Sequence, residues 1–224
     1  MAQKDIHEGH RQRLYRKSHI LGLEFLEPHE QLEKLLYAVI PRGDTNEVAH
    51  RLLMTFGSIK DVLCADVKSL VDVDGVGPKT AEFLHDLPIL LGIVERCIFT
   101  KEHADILDTP DKIGEYVKSM FYGHVVEILY AICLNSKKKL ISSYKISEGT
   151  AEQTSVSVHK ISKLAVLSEA SYIVLAHNHP GGRCEPSMAD LKMTAQVRAS
   201  LNTLGIQLLG HVIVAGNEYK MILQ

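Results

Sequence analysis

Hydrophobic positions follow two different rhythms along this chain, and the change of rhythm predicts two domains. From Met1 to about Lys101, apolar residues recur at helical spacing in segments broken by Pro28, the Pro41-Arg42-Gly43-Asp44 turn, Gly57 and Gly75-Val76-Gly77-Pro78. In one segment, Asp44 to Leu53, polar residues suited to an N-cap precede Val48, Leu52 and Leu53 on one helix face. Nothing in this half alternates as a strand would. Near Thr100 to Pro110 the pattern loosens. After one more helix, Asp111 to Phe121, β-type runs follow at Glu127 to Leu134 and Lys139 to Ile146. Between them, Asn135-Ser136-Lys137-Lys138 suits a hairpin turn. The rest predicts a helix from Val158 to Glu169, an apolar strand Tyr172 to Ala176, a helix from Ser187 to Leu204, and strands Gln207 to Val214 and Tyr219 to Leu223. The reading is α+β overall: an all-α domain over residues 1–104, then an α/β domain with a largely buried sheet over 105–224.

Composition agrees and narrows the function classes. The 224 residues are 46% hydrophobic and 23% charged, which excludes disorder over most of the length. With 25 Lys+Arg against 27 Asp+Glu, a net charge of −2 provides no global attraction to nucleic acid or anionic membranes, so any such binding needs a local patch. No apolar run approaches the roughly 18–20 residues of a bilayer span, and the charged start lacks the apolar core of a signal peptide. A cytoplasmic protein without a membrane partner is expected. Cys64, Cys97, Cys133 and Cys184 are scattered with no C-x-x-C pair, which argues for reduced thiols rather than disulfides or a zinc ribbon.

Two stretches suggest nucleic-acid contact. Leu70 to Ala81 sets a Gly75-Val76-Gly77 turn directly before a helix, with Pro78 where the first helical turn tolerates proline. This looks like a helix-hairpin-helix motif, over about residues 66–90. Its glycines let a phosphate approach the main chain near a helix N-terminus, and Lys79 adds a charge, so Gly75, Gly77 and Lys79 are the candidate DNA contacts. Asp72, Asp74 and Glu82 oppose a phosphate, and a hairpin that serves only as a packing unit is the alternative. Lys4 to Lys17 contains Lys4, Arg11, Arg13, Arg16 and Lys17 against Asp5 and Glu8, a patch of the right sign or an ordinary solvated helix face.

The most informative stretch runs from Ala176 to Asp190. His177 and His179 stand two apart at a strand end, and period-two geometry puts both imidazoles on one face, able to converge on one ion. A Gly- and Pro-containing loop then returns to a helix whose start holds Ser187 and Asp190. Two neutral imidazoles and one carboxylate, with a fourth position for water, make a ligand set of the catalytic zinc type. A purely structural account has the histidines bonded to nearby backbone, Ser187 as an N-cap and Asp190 as a solvated acid. The chain has no H-E-x-x-H helix. The H-x-E with P-C-x-x-C of zinc deaminases is also missing, because His179 stands where the Glu would be.

Taken together these motifs resemble the RadC family, which joins a helix-hairpin-helix region to a JAMM (MPN-type) metalloprotease-like domain. The likeness rests on Gly9 to Leu14, Ile40 to Asn46, Phe56-Gly57-Ser58, Gly75 to Gly77, His177-Asn178-His179-Pro180-Gly181-Gly182, Pro186-Ser187 and Asp190, so it covers nearly the whole chain. It implies a cytidine-deaminase-like α/β/α sandwich, Zn2+ held by His177, His179 and Asp190, and Ser187 assisting an oxyanion. The implied activity is hydrolysis of an amide or related bond in a protein or peptide, with a link to DNA repair through the family name.

Two positions depart from the pattern. The resemblance calls for a Glu that takes a proton from the attacking water. An ungapped count back from His177 lands on Lys160, where a cation would oppose Zn2+. Either Glu152 supplies the base, or His159 turns inward as a base or an extra metal ligand, or the protein is an inactive adaptor that binds zinc or DNA. In Leu209 to Val214, Gly210 stands where the family usually has Asp. That leaves His211 either to orient a ligand or to sit as a satisfied core histidine. Cys184 is read as an idle loop thiol or a group able to reach the metal.

Overall fold

The computed structural model of the chain describes residues 6–103, 105–149 and 154–223. They divide into two compact units, Met1–Pro88 and Ile89–Gln224. Composition places the boundary near residue 105, whereas the packing divides the chain earlier, inside a long helix.

The first unit contains helices α1 (Ile6–Leu21), α2 (Pro28–Leu36), α3 (Thr45–Phe56), α4 (Ile59–Leu63), α5 (Val67–Val71) and the start of α6 (Pro78–His103). Short helices need their ends satisfied, and Asp44, Ser58 and Asp66 each accept backbone N–H bonds as N-caps. Leu32, Leu36, Leu52, Val62, Leu70 and Leu84 form the core. Each such buried side chain contributes about 1.5–3 kcal/mol relative to exposure.

Several residues that carry the family likeness here have structural roles. Arg11 donates to the carbonyls of Ile40 at 2.8 Å, Pro41 at 2.9 Å and Gly43 at 3.3 Å. The carboxylate of Glu33, only 1% exposed, accepts from Tyr37 Oη at 2.8 Å and Asn46 Nδ2 at 3.1 Å, and lies 3.0 Å from His10 Nε2. Lys17 pairs with Glu30 at 2.6 Å. Two of the five basic residues in the N-terminal patch are therefore engaged in holding helices together, and Lys4 lies outside the described residues.

The second unit forms a five-stranded sheet in the order β2-β1-β3-β4-β5. Its strands are β1 (Ile128–Leu134), β2 (Leu140–Glu148), β3 (Tyr172–Asn178), β4 (Gln207–Ala215) and β5 (Glu218–Ile222). The expected β1–β2 hairpin is present, β1 and β3 are antiparallel, β3 and β4 parallel, and β4 and β5 antiparallel. Period-two alternation sends successive residues to opposite faces. Ile128, Ile132, Val174, Ala176 and Val212 pack with Ile113 and Val117 of α7 (Pro110–Met120). Leu129, Ala131, Ile173, Leu175 and Leu208 pack with Ile161 and Ala165 of α8 (Thr154–Leu167) and Val197 and Leu201 of α9 (Met188–Thr203). Helices thus cover both faces, in the α/β/α arrangement the resemblance implies. No helix among the described residues is long and apolar enough to cross a membrane.

Candidate metal centre

The centre lies where β3 ends between β1 and β4. Following Ile173 and Leu175 on the α8/α9 face, His177 is 2% exposed and pairs in register with Leu129. His179 is held one step further on, its N–H donating to the Val214 carbonyl at 2.8 Å. The chain then turns, Gly181 taking φ +68° and the Gly182 N–H donating to the His179 carbonyl at 3.1 Å.

The loop returns at Ser187, the N-cap of α9, and a capping box with Asp190 sets the geometry. Ser187 N–H and Oγ–H both donate to Asp190 Oδ2, at 2.7 and 2.6 Å, while Asp190 N–H donates to Ser187 Oγ at 3.2 Å. Ser187 is a cap, as the structural account has it. Asp190 is not a solvated acid, since it is 8% exposed and turned toward the histidines.

His177 Nε2 and His179 Nε2 lie 2.8 Å apart. Asp190 Oδ1 is 3.3 Å from His177 Nε2, and Oδ2 is 3.6 Å from His179 Nε2. The Glu127 carboxylate joins them, with one oxygen within 4.8 Å of a ring nitrogen of each histidine. Glu127 immediately precedes β1, and its backbone is clamped from β3. Asn178 Oδ1 accepts from Ile128 N–H at 2.8 Å, and Asn178 Nδ2 donates to the Val126 carbonyl at 2.9 Å. The residue between the two histidines therefore points to the opposite face and pins both neighbours of the nearby acid. Leu129, Ser147, Ser157, Ala189 and Met193 line a cleft beside the centre.

Burial, with the neighbouring His179, pushes the His177 pKa down to about 4, against the pull of Asp190. Burial also pushes Asp190 up, but hydrogen bonds from Ser187 and the nearby His177 hold it below the ordinary carboxylate value. Near neutral pH the cluster is therefore a neutral His177 beside an ionised Asp190. His179 Nδ1 must donate to the Arg183 carbonyl, 2.8 Å away, because a carbonyl only accepts; a neutral His179 then carries a lone pair on Nε2. Two imidazole nitrogens and a carboxylate oxygen, converging and electron-rich, fit a divalent transition metal of borderline softness.

Lys160 does not enter this site. It is exposed, and its Nζ donates to the Ile146 carbonyl on β2, while His159 is also exposed and Glu152 lies outside the described residues. The acid beside the histidines is Glu127. The ungapped count missed it because it comes from the strand paired with β3, and the β1–β2 hairpin and α8 intervene in sequence. Its one signal was a carboxylate at the head of an apolar run. Gly210 sits close against β5: a Cβ there would come 3.0 Å from the Ile222 carbonyl oxygen as well as 2.4 Å from the flexible Met221 Cε. His211 is wholly buried, with Nε2 2.7 Å from His177 Nδ1 and Nδ1 2.7 Å from Thr194 Oγ1. The Cys184 thiol is pushed up by burial and faces the Ala215 backbone.

In the first unit, Gly75, Gly77 and Lys79 are exposed at the turn between α5 and α6. Gly75 adopts φ +89°, and Arg51 pairs with Asp74 at 3.0 Å, offsetting one of the opposing charges.

A family model described as the RadC-like JAB domain matches residues 107–222. A UPF0758 protein of Fusobacterium nucleatum is 32% identical over 230 residues, covering 100% of this chain and 98% of its own. One of Ruegeria pomeroyi is 32% identical over 206 residues, covering 92% and 91%. A third, of Rhodobacter capsulatus, is 30% identical over 194 residues, covering 86% and 89%. The match takes in all five strands, both histidines and the Ser187–Asp190 turn, and full-length relatives extend it through the helical half; this chain belongs to the RadC-like JAB domain family.

Proposed function

We propose that this protein is a zinc-dependent hydrolase of the JAMM metallopeptidase type, acting on an amide or related bond. The observation that carries the reading is the convergence of His177, His179 and Asp190, with the Glu127 carboxylate alongside and a cleft open beside them. His177 Nε2, His179 Nε2 and an Asp190 oxygen would hold Zn2+, which would supply the polarisation that activates a water for attack. The Glu127 carboxylate would serve as the general base, taking a proton from the attacking water and returning it to the leaving amine. Ser187 Oγ–H, now bonded to Asp190, turns to the developing oxyanion. Leu129 and Met193 give the cleft an apolar wall. The adaptor alternative rested on Lys160 at the acid position, and the placement of Glu127 favours the hydrolase.

Elemental analysis of the purified chain tests the metal. Near-stoichiometric zinc is expected, with loss in His177→Ala and Asp190→Ala; a native chain that stays zinc-free after zinc is supplied sinks the proposal. Glu127→Gln is expected to keep its zinc while cleavage of a peptide and isopeptide substrate panel falls by about 10²-fold or more.

A DNA contact through Gly75, Gly77 and Lys79 is a separate and compatible proposal, favoured by their exposure and by the Arg51–Asp74 pairing. Affinity for duplex DNA should then fall steeply with salt and fall further in Lys79→Glu. A Lys79→Glu variant that binds DNA as the native chain does would refute it.

A further inference from the structure

We infer that Thr194 and His211 form a positioning relay that fixes the ring proton of His177 on Nδ1, keeping Nε2 bare for the metal and so setting the affinity of the centre. The inference rests on the metal reading above and adds two residues to it.

Donors and acceptors along this chain of side chains fix where each proton sits. The Asp190 carbonyl can only accept, and Thr194 Oγ1–H donates to it at 2.6 Å. A hydroxyl has one proton, so Thr194 Oγ1 is left as an acceptor toward His211 Nδ1, 2.7 Å away. The single proton of a neutral His211 ring therefore sits on Nδ1, and its Nε2 presents a lone pair to His177 Nδ1 at 2.7 Å. His177 must then place its own proton on Nδ1. What remains on Nε2 is a lone pair at the atom 3.3 Å from Asp190 Oδ1 and 2.8 Å from His179 Nε2.

These partners are shielded from bulk solvent, since Thr194 and His177 are 2% exposed and His211 is 0% exposed. The relay begins at the carbonyl of one proposed ligand and ends on the ring of another, tying α9 to β3 through β4. His179 needs no such chain, since the Arg183 carbonyl fixes its proton directly. Without the Thr194 hydroxyl, His211 is free to carry its proton on Nε2 and donate it to His177 Nδ1. That drives the His177 proton onto Nε2 and blocks the ligating atom. Supporting partners of this kind are typically worth about 10–100-fold in metal affinity.

The test uses the full-length protein and Zn2+ in competition with a chromophoric chelator. Thr194→Val, close in shape but lacking the hydroxyl, should bind Zn2+ about 10-fold or more weakly, and Thr194→Ser, which keeps the donor, should stay within about 2-fold of the native chain. Equal affinity in native and Thr194→Val protein, or equal losses in both variants, would overturn the relay while leaving the metal site standing. A native chain that binds no Zn2+ would overturn the metal reading and the relay with it. A second measurement is independent of whether the variants fold: imidazole 15N spectra of the Zn2+-loaded native protein should place the protons of His177 and His211 on Nδ1. A proton on Nε2 of either ring would refute the inference.

Discussion

At the residue scale, burial and partner geometry decide what each side chain does, and residues of one type diverge. The four cysteines illustrate this. Cys133 on β1 is 0% exposed and burial pushes its thiol up, so little of it is thiolate near neutral pH, whereas Cys97 on α6 is exposed. Ellman's reagent is expected to modify Cys97 in the native protein and Cys133 only after denaturation. Prompt native labelling of Cys133 would contradict the packing. The histidines diverge as sharply: His177 and His211 are enclosed and linked, and His159 is exposed. The sequence made His177, His179, Ser187 and Asp190 legible because strand period and helix capping are local rules. Glu127 and Thr194 were not legible, since neither lies in a recognisable spacing to the histidines.

Elements follow from caps and turns, and the glycines of the α5–α6 turn separate two physical roles. Gly75 has φ +89°, and a Cβ there would come 2.6 Å from Val48 Cγ2, while a Cβ on Gly77 meets nothing within 4 Å. Gly75→Ala should therefore cost about 1–2 kcal/mol or more in urea unfolding, from left-handed backbone strain plus the clash with α3. Gly77→Ala should stay within about 0.5 kcal/mol of the native chain. Equal effects in the two variants would mean that the turn is not built as described. The same scale explains the N-terminal charges. Lys17 lowers the Glu30 pKa, chiefly through a direct hydrogen bond, so this pair stabilises the fold above the ordinary carboxylate pKa and is lost as pH falls through the depressed value. A Lys17→Met variant should differ from the native chain in melting temperature at neutral pH, and the gap should close in acid. Screening in this partly exposed setting keeps the gap small.

Across the whole molecule, helix and strand existence could be read from periodicity, and the strands were expected close to where they are. Sheet order could not be read that way. The pairing of β1 and β4 on either side of β3 is a long-range choice, made by burying two apolar faces at once under α7 and under α8 with α9. Zinc at about 100 times its Kd should stabilise the unit that contains the sheet by about 2.7 kcal/mol, because ligand binds only the folded state. In calorimetry that unit's transition should fall on chelation and recover with zinc, while a transition unmoved by either treatment would refute the assignment.

By itself the sequence determined the helical character of the first half, the caps at Asp44 and Ser187, the alternating strands, and the His177–His179 pair with its Ser187–Asp190 turn, because each depends on neighbours within a few residues. Tertiary structure alone brought Glu127 beside those histidines, set Asn178 to clamp it, and placed His211 and Thr194 behind His177. Those contacts depend on which strands lie side by side, and that is settled by core packing over the whole sheet rather than by any local spacing.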